Sequence, residues 1–174
     1  TFNSSSARVN DPNPTSPCPR KVKKAYLYWA GESDNKDASK VKFKVDTGAY
    51  QEITGTPIWN DSQFVFVADV TNKLTNVAGN YTVANIPVPT GISTGYAGGW
   101  TLFIIYEDAS KPARNISLFD GFTAVWYQNR VVTITISGFK TVPYPLPVNA
   151  KIGFSSLEGD AGYVGDRFLI STNK

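Results

Sequence analysis

Three carboxylates lie within nine residues in the glycine-rich stretch Glu158-Gly159-Asp160-Ala161-Gly162-Tyr163-Val164-Gly165-Asp166. Calcium takes about six to eight oxygen ligands, and a flexible loop of this kind can wrap carboxylates and carbonyls around it. Glu158, Asp160 and Asp166 are therefore the candidate calcium ligands. Their spacing departs from that of an EF-hand loop. The same residues also read as a pair of tight turns, with glycines at positive φ and aspartates bonding to nearby backbone N–H groups. A second acidic loop, Glu32-Ser33-Asp34-Asn35-Lys36-Asp37, offers oxygens at close spacing. Lys36 in its middle argues for a solvated turn instead.

A second kind of chemistry is recognition by flat rings. Tyr50, Trp59, Tyr96, Trp126, Tyr127 and Tyr144 fall in or beside turn signals. Aromatic rings on loops stack on sugars or anchor protein partners, because each buries much area at small entropic cost. Trp59, Tyr96, Trp126 and Tyr127 form the candidate ligand-binding set, with ordinary core and rim packing as the competing reading. Trp29 and Trp100 lie within apolar runs and belong to the core.

Hydrolysis of a glycosidic bond would need two carboxyl groups ~5–9 Å apart. Fourteen acidic residues supply many pairs, so their number alone selects none. Glu107 and Asp108 are adjacent at a strand end and point to opposite faces. Glu158 with Asp120 or Asp166 has no further support in the sequence. No catalytic residue is assigned.

Composition removes other classes. The chain has no histidine, which excludes Ser-His-Asp and Cys-His catalysis and His-ligated metal sites within it. Cys18, the single cysteine, sits in Pro17-Cys18-Pro19 and cannot form an intrachain disulfide. Flanking prolines hold it in extended backbone, away from a helix N-terminus that would activate it. The net charge of +3 is too small to imply nucleic acid. No apolar run approaches the ~20 residues a spanning helix needs, so no membrane insertion is expected. No phosphate-binding loop or dinucleotide fingerprint occurs.

The elements that must position these groups are short strands. Aromatics make up 13% of 174 residues, and Gly and Pro are frequent, which is the composition of an all-β domain rich in turns. Strands are predicted at Ala25–Trp29, Lys40–Val45, Tyr50–Thr54, Gln63–Val67, Tyr81–Ile86, Trp100–Tyr106, Ile116–Phe119, Val131–Ile136, Lys151–Phe154 and Phe168–Ser171. Ala7-Arg8-Val9 can add one more. Lys40, Lys42 and Lys44 alternate with Val41, Phe43 and Val45, so period-2 geometry puts the lysines on a solvated face. Trp100–Tyr106 is nearly continuous in apolar residues, as in a strand buried on both faces. Only Asp69–Thr75 has helical character, with Asp69 placed to cap it. The fold expected is a two-sheet antiparallel sandwich, jelly-roll or Greek-key-like, with one short helix. Residues 1–20 read as an extended Pro-rich N-terminal segment and residues 21–174 as a single β-sandwich domain.

Several segments, taken in order, resemble a β-rich module of large secreted or surface-anchored bacterial proteins, of the adhesin-like and type IX secretion cargo kind. They are Ala25-Tyr26-Leu27-Tyr28-Trp29-Ala30-Gly31, Ala68-Asp69-Val70-Thr71, Tyr81-Thr82-Val83-Ala84-Asn85, Gly99-Trp100-Thr101-Leu102, Tyr106-Glu107-Asp108, Arg114-Asn115-Ile116 with Phe119-Asp120-Gly121-Phe122, and Glu158-Gly159-Asp160 with Gly165-Asp166. The resemblance implies an extracellular, cell-surface module without a catalytic residue set, supporting adhesion or surface assembly. Its expected partners are a cell-surface glycan or protein, or copies of itself. Two other readings stand beside it. One is a calcium-assisted carbohydrate-binding module, and the other a filament or surface-layer subunit that assembles by N-terminal strand exchange.

Overall fold

The computed structural model describes residues 1–33, 37–91, 97–125, 127–156, 165 and 167–170. Eight strands are formed among them: β1 (Ser4–Val9), β2 (Arg20–Glu32), β3 (Lys40–Val45), β4 (Gln51–Thr54), β5 (Thr56–Asn60), β6 (Gln63–Asp69), β7 (Gly79–Ala84) and β8 (Gly98–Asp108). They build two antiparallel four-stranded sheets, ordered β1-β7-β3-β4 and β5-β6-β2-β8. The chain is all-β, a two-sheet sandwich. Sequence neighbours sit in opposite sheets except at the β3–β4 and β5–β6 hairpins, so the chain repeatedly crosses between layers.

Alternation decides which face each strand turns inward. In β3, Val41 and Phe43 are buried while Lys40 is exposed and Lys42 and Lys44 are half-buried, as the lysine alternation predicts. Ala25, Leu27 and Trp29 of β2, and Phe64, Phe66 and Ala68 of β6, fill the core from the second sheet. Trp29 is fully buried, stacks on Phe66 (ring centroids 5.8 Å apart, planes at 10°) and donates its Nε1–H to the Ala38 carbonyl at 2.8 Å. Phe43 stacks on Tyr81 across β3 and β7. The Tyr81 hydroxyl is near both the Asn76 and Val77 carbonyls, each at 3.0 Å, so a deeply placed polar atom stays satisfied.

The corner at Gly55 takes the chain from β4 in one sheet to β5 in the other. A Cβ on Gly55 would lie 2.3 Å from Trp29 Cη2 and 3.1 Å from the Val67 carbonyl, so no side chain fits. Gly31 is equally confined, its Cβ position 2.4 Å from Val88 Cγ1.

Residues 1–20 contribute β1, which adds antiparallel to β7 in register Ser4↔Ala84 through Val9↔Gly79. Asn3 fixes its start: Nδ2 donates to the Ile86 carbonyl at 2.7 Å and Oδ1 accepts the Ile86 N–H at 3.0 Å. The Pro-rich stretch that follows leads into β2, with Arg20 paired to Asp11. Cys18 is free and half-buried.

The structure departs from the sequence expectations in several places. The helix expected over Asp69–Thr75 is a single 3₁₀ turn at Thr71–Lys73. Asp69 does act at its start, accepting the Thr71 N–H at 2.9 Å. β5 was not expected, because Gly55 and Pro57 read as breakers. It is an edge strand with a register shift between Pro57 and Trp59, where a missing N–H is tolerated. β2 runs farther than Ala25–Trp29 in both directions. Ile116–Phe119, Val131–Ile136, Lys151–Phe154 and Phe168–Ile170 form no strand, and Ser171 lies outside the described residues. No helix among the described residues is long and apolar enough to cross a membrane.

Candidate functional site

At the Gly55 corner the chain leaves an open cleft of about 400 Å³. Its floor is the outward side of the second sheet, with Tyr26 on β2 and Val67 on β6. Thr54 and Thr56 flank the corner, and Asp69, Asn72 and Lys73 come from the 3₁₀ turn. Glu52 and Asp120 complete the rim. Inward positions of β2 and β6 belong to the core, so period-2 geometry leaves Tyr26 and Val67 on the opposite face.

Every carboxylate at the cleft has a partner. Glu52 pairs with Lys40 at 3.0 Å, and this contact raises the Lys40 ammonium above its ordinary value. Asp69 accepts the Thr71 hydroxyl and N–H and pairs with Lys24 at 2.9 Å. Those bonds, the Thr71 pair foremost, hold its carboxyl down at about 2. Asp120 accepts the Tyr28 hydroxyl. Burial first, and that bond second, push Tyr28 far above the usual phenol range. A general acid needs a carboxyl raised toward neutrality. Asp69 is shifted the other way and stays an ionised acceptor. The cleft therefore presents acceptors (Asp69, the Thr54 and Thr56 hydroxyls, the Asn72 carbonyl) beside donors (Lys73, the Asn72 amide). That inventory matches polyhydroxylated ligands, whose hydroxyls both donate and accept.

Next to it stands an aromatic ledge. Trp59 on β5 is 47% exposed and stacks on Phe122, with ring centroids 5.2 Å apart and planes at 13°. Phe122 follows Asp120 by two residues, so the 120–122 segment joins ledge to cleft. Trp59 is thus an exposed, oriented ring, as its place beside a turn suggests. Tyr127 is 75% exposed and accepts from the Gln128 amide, but it does not line the cleft. Tyr96, Trp126, Glu158, Asp160 and Asp166 lie outside the described residues, so the calcium set and half the aromatic set have no place in this geometry. Among the described residues, no three Asp, Glu or Cys side chains come close enough to hold a metal ion. Tyr50 and Tyr144 are exposed, and Tyr50 lies under the Lys44 ammonium at 4.9 Å.

A second polar cluster lies at the far end of β8. Asp108 accepts from the Ser110 hydroxyl and N–H and from Asn13 Nδ2 at 2.9 Å. These bonds lower its carboxyl to about 2. Glu107 turns away and pairs with Lys23. The two adjacent carboxylates do diverge, and Asp108 ties the Pro-rich lead-in to β8.

Sequence reasoning missed Tyr26, Thr54, Thr56, Asn72 and Lys73 as cleft residues. They come from three separate stretches of the chain, and none has an unusual neighbourhood in one dimension. No protein-family model, curated protein or solved structure matches this chain.

Proposed function

We propose that this chain is a non-enzymatic, extracellular surface module that supports adhesion by holding a cell-surface glycan at the Gly55 corner. The observation that carries the reading is the Trp59–Phe122 ledge beside a polar cleft whose carboxylates are held ionised or engaged. A sugar presents an apolar face to a ring and hydroxyls to its rim, and the corner supplies both. Calcium enters as an assisting ion through Glu158, Asp160 and Asp166. The test is a broad glycan array with and without chelator, run on the native chain and on Trp59→Ala. Binding by the native chain, weakened about tenfold or more in Trp59→Ala, is expected for a stacking anchor worth ~1.4 kcal/mol. No binding in either condition would sink the proposal. An unchanged melting temperature in excess calcium would remove the ion from it.

A second reading, assembly by N-terminal strand exchange, is favoured by β1. Among the described residues this strand pairs with β7 alone, and a Pro-rich stretch joins it to β2. The same six-residue ladder can be supplied by another copy at no loss of backbone bonds. Deleting residues 1–20 should then abolish self-assembly seen by light scattering, and undiminished assembly rules the exchange out.

A further inference from the structure

β8 is built like a central strand but sits at a sheet edge. It pairs with β2 from Arg20↔Asp108 to Gly31↔Gly98, and no strand covers its other edge among the described residues. Trp100, Leu102 and Ile104 face inward and pack on the core, yet remain only half-buried. Their partners on β2, Trp29, Leu27 and Ala25, are fully buried. On the other face Phe103 and Ile105 are also half-buried. A long edge strand that is apolar on both faces is a site that calls for a further strand. Trp100 Nε1 donates to Ser5 Oγ on β1 at 2.7 Å, so β8 and β1 flank the same side of the sandwich. That side is the open one.

The same chain carries a strand-forming sequence that is not in a sheet. Val131-Val132-Thr133-Ile134-Thr135-Ile136 is β-branched at every position and has no charge, proline or glycine. Val131, Ile134 and Ile136 are 82%, 66% and 47% exposed, in a segment that forms no strand. The chain on either side of it is already moored to the second sheet. Asp120 accepts from Tyr28, Phe122 stacks on Trp59, and Ser155 Oγ lies 2.6 Å from Thr101 Oγ1 on β8 itself. The linker of residues 109–130 can span about 70 Å, against a length of ~36 Å for β8.

We propose that Val131–Ile136 docks on the free edge of β8 as a fifth strand of that sheet, closing the open side of the sandwich. Val132, Ile134 and Ile136 then continue the inward row and cover Trp100, Leu102 and Ile104. Val131, Thr133 and Thr135 join the outward row with Thr101, Phe103 and Ile105. The occupant is the chain's own segment rather than a second copy, because Ser155 on one side is bonded to β8 and Asp120 on the other to its neighbour β2, which keeps the segment at a high effective concentration. The proposal does not depend on what the Gly55 corner binds.

Hydrogen exchange on the full chain, with disulfide trapping, tests it. The amides of residues 131–136 should exchange at least about 100-fold more slowly than coil, as paired strand amides do. In a Cys18→Ser background, Thr101→Cys or Ile105→Cys is combined in turn with Val131→Cys, Thr133→Cys or Thr135→Cys. At least one pair should oxidise within the monomer, since directly opposed strand residues lie within disulfide reach. Coil-rate exchange at 131–136 overturns the proposal. So does protection without any crosslink, which would place the strand elsewhere. Crosslinks only between chains would overturn it in favour of a second copy.

Discussion

Gly55→Ala isolates the steric demand at the sheet-switching corner. The added methyl would sit 2.3 Å from Trp29 Cη2 and 2.7 Å from Cζ2, where carbon contacts normally begin at about 3.5 Å. The indole cannot yield easily. It has no exposed surface, its face lies on Phe66 and its Nε1–H is bonded to Ala38. The methyl cannot tip far the other way, because the Val67 carbonyl is 3.1 Å off. Overpacking of this kind costs about 1–3 kcal/mol, and the ring's confinement argues for the upper half. At roughly 2–4 °C per kcal/mol for a chain of this size, the melting temperature should fall by about 4–12 °C. Trp29→Phe should also destabilise, by about 1–3 kcal/mol, through an unpaired Ala38 carbonyl and a void. Phenylalanine lacks the two carbons that collide with the methyl. The double variant should therefore be more stable than the two losses summed, by at least about 1 kcal/mol. Urea unfolding of the four proteins in the cycle measures this. Additivity within ~0.5 kcal/mol would refute the clash as the cause.

Acid should weaken the fold through two carboxylates. Asp69 and Asp108 are held at about 2 against an ordinary 3.8, so the unfolded chain takes up protons first as pH falls. Their contribution is complete above about pH 4 and fades between pH 4 and 2; the urea midpoint should drop across that window, less steeply in Asp108→Asn, and a midpoint flat from pH 5 to 2 contradicts the assignment. Alkali should act through Tyr81, whose hydroxyl is raised by burial first and by Asp46 second. Stability tied to it is intact below about pH 10 and declines above, where the unfolded chain ionises more readily. Tyr81→Phe should lose about 1–2 kcal/mol at neutral pH, through its unpaired carbonyls, and show a shallower alkaline decline by denaturant titration; an unaltered decline assigns the effect elsewhere.

What the sequence shows directly is what alternation encodes. Lys40–Val45 reads as a half-buried strand and is one, to the residue. Trp100–Tyr106 reads as buried on both faces, but β8 lies at a sheet edge, so Trp100 to Ile105 are only half-buried and Tyr106 is exposed; an apolar run encodes a strand without encoding its place in the sheet. β1 is nearly invisible because it is held by backbone pairing with β7 plus polar contacts of Asn3 with Ile86, Ser5 with Trp100 and Ser6 with Thr82, none of which leaves a hydrophobic period. β5 was hidden by Gly55 and Pro57, which end a strand in most settings. Here one turns a corner and the other sits on an edge. The site follows the same division. An exposed ring such as Trp59 announces itself by type and by neighbouring turn residues. The cleft does not, because Tyr26, Glu52, Val67 and Asp120 meet only once the sheets are stacked.

The corner couples core and surface in a way that separates stability from recognition. Thr54 ends β4, Thr56 begins β5, and both line the cleft, so Gly55 sets the distance between cleft and ledge. Its fit depends on Trp29, a residue with no access to ligand. Gly55→Ala should therefore displace Trp59 relative to Asp69 and Asn72, and weaken glycan retention together with stability. Trp59→Ala removes a half-exposed ring whose ring partner among the described residues is Phe122, so it should cost less than about 1 kcal/mol of stability while losing most binding. If Gly55→Ala unfolds more easily yet retains the native glycan profile, the ledge and cleft do not act together and recognition rests on Trp59 alone.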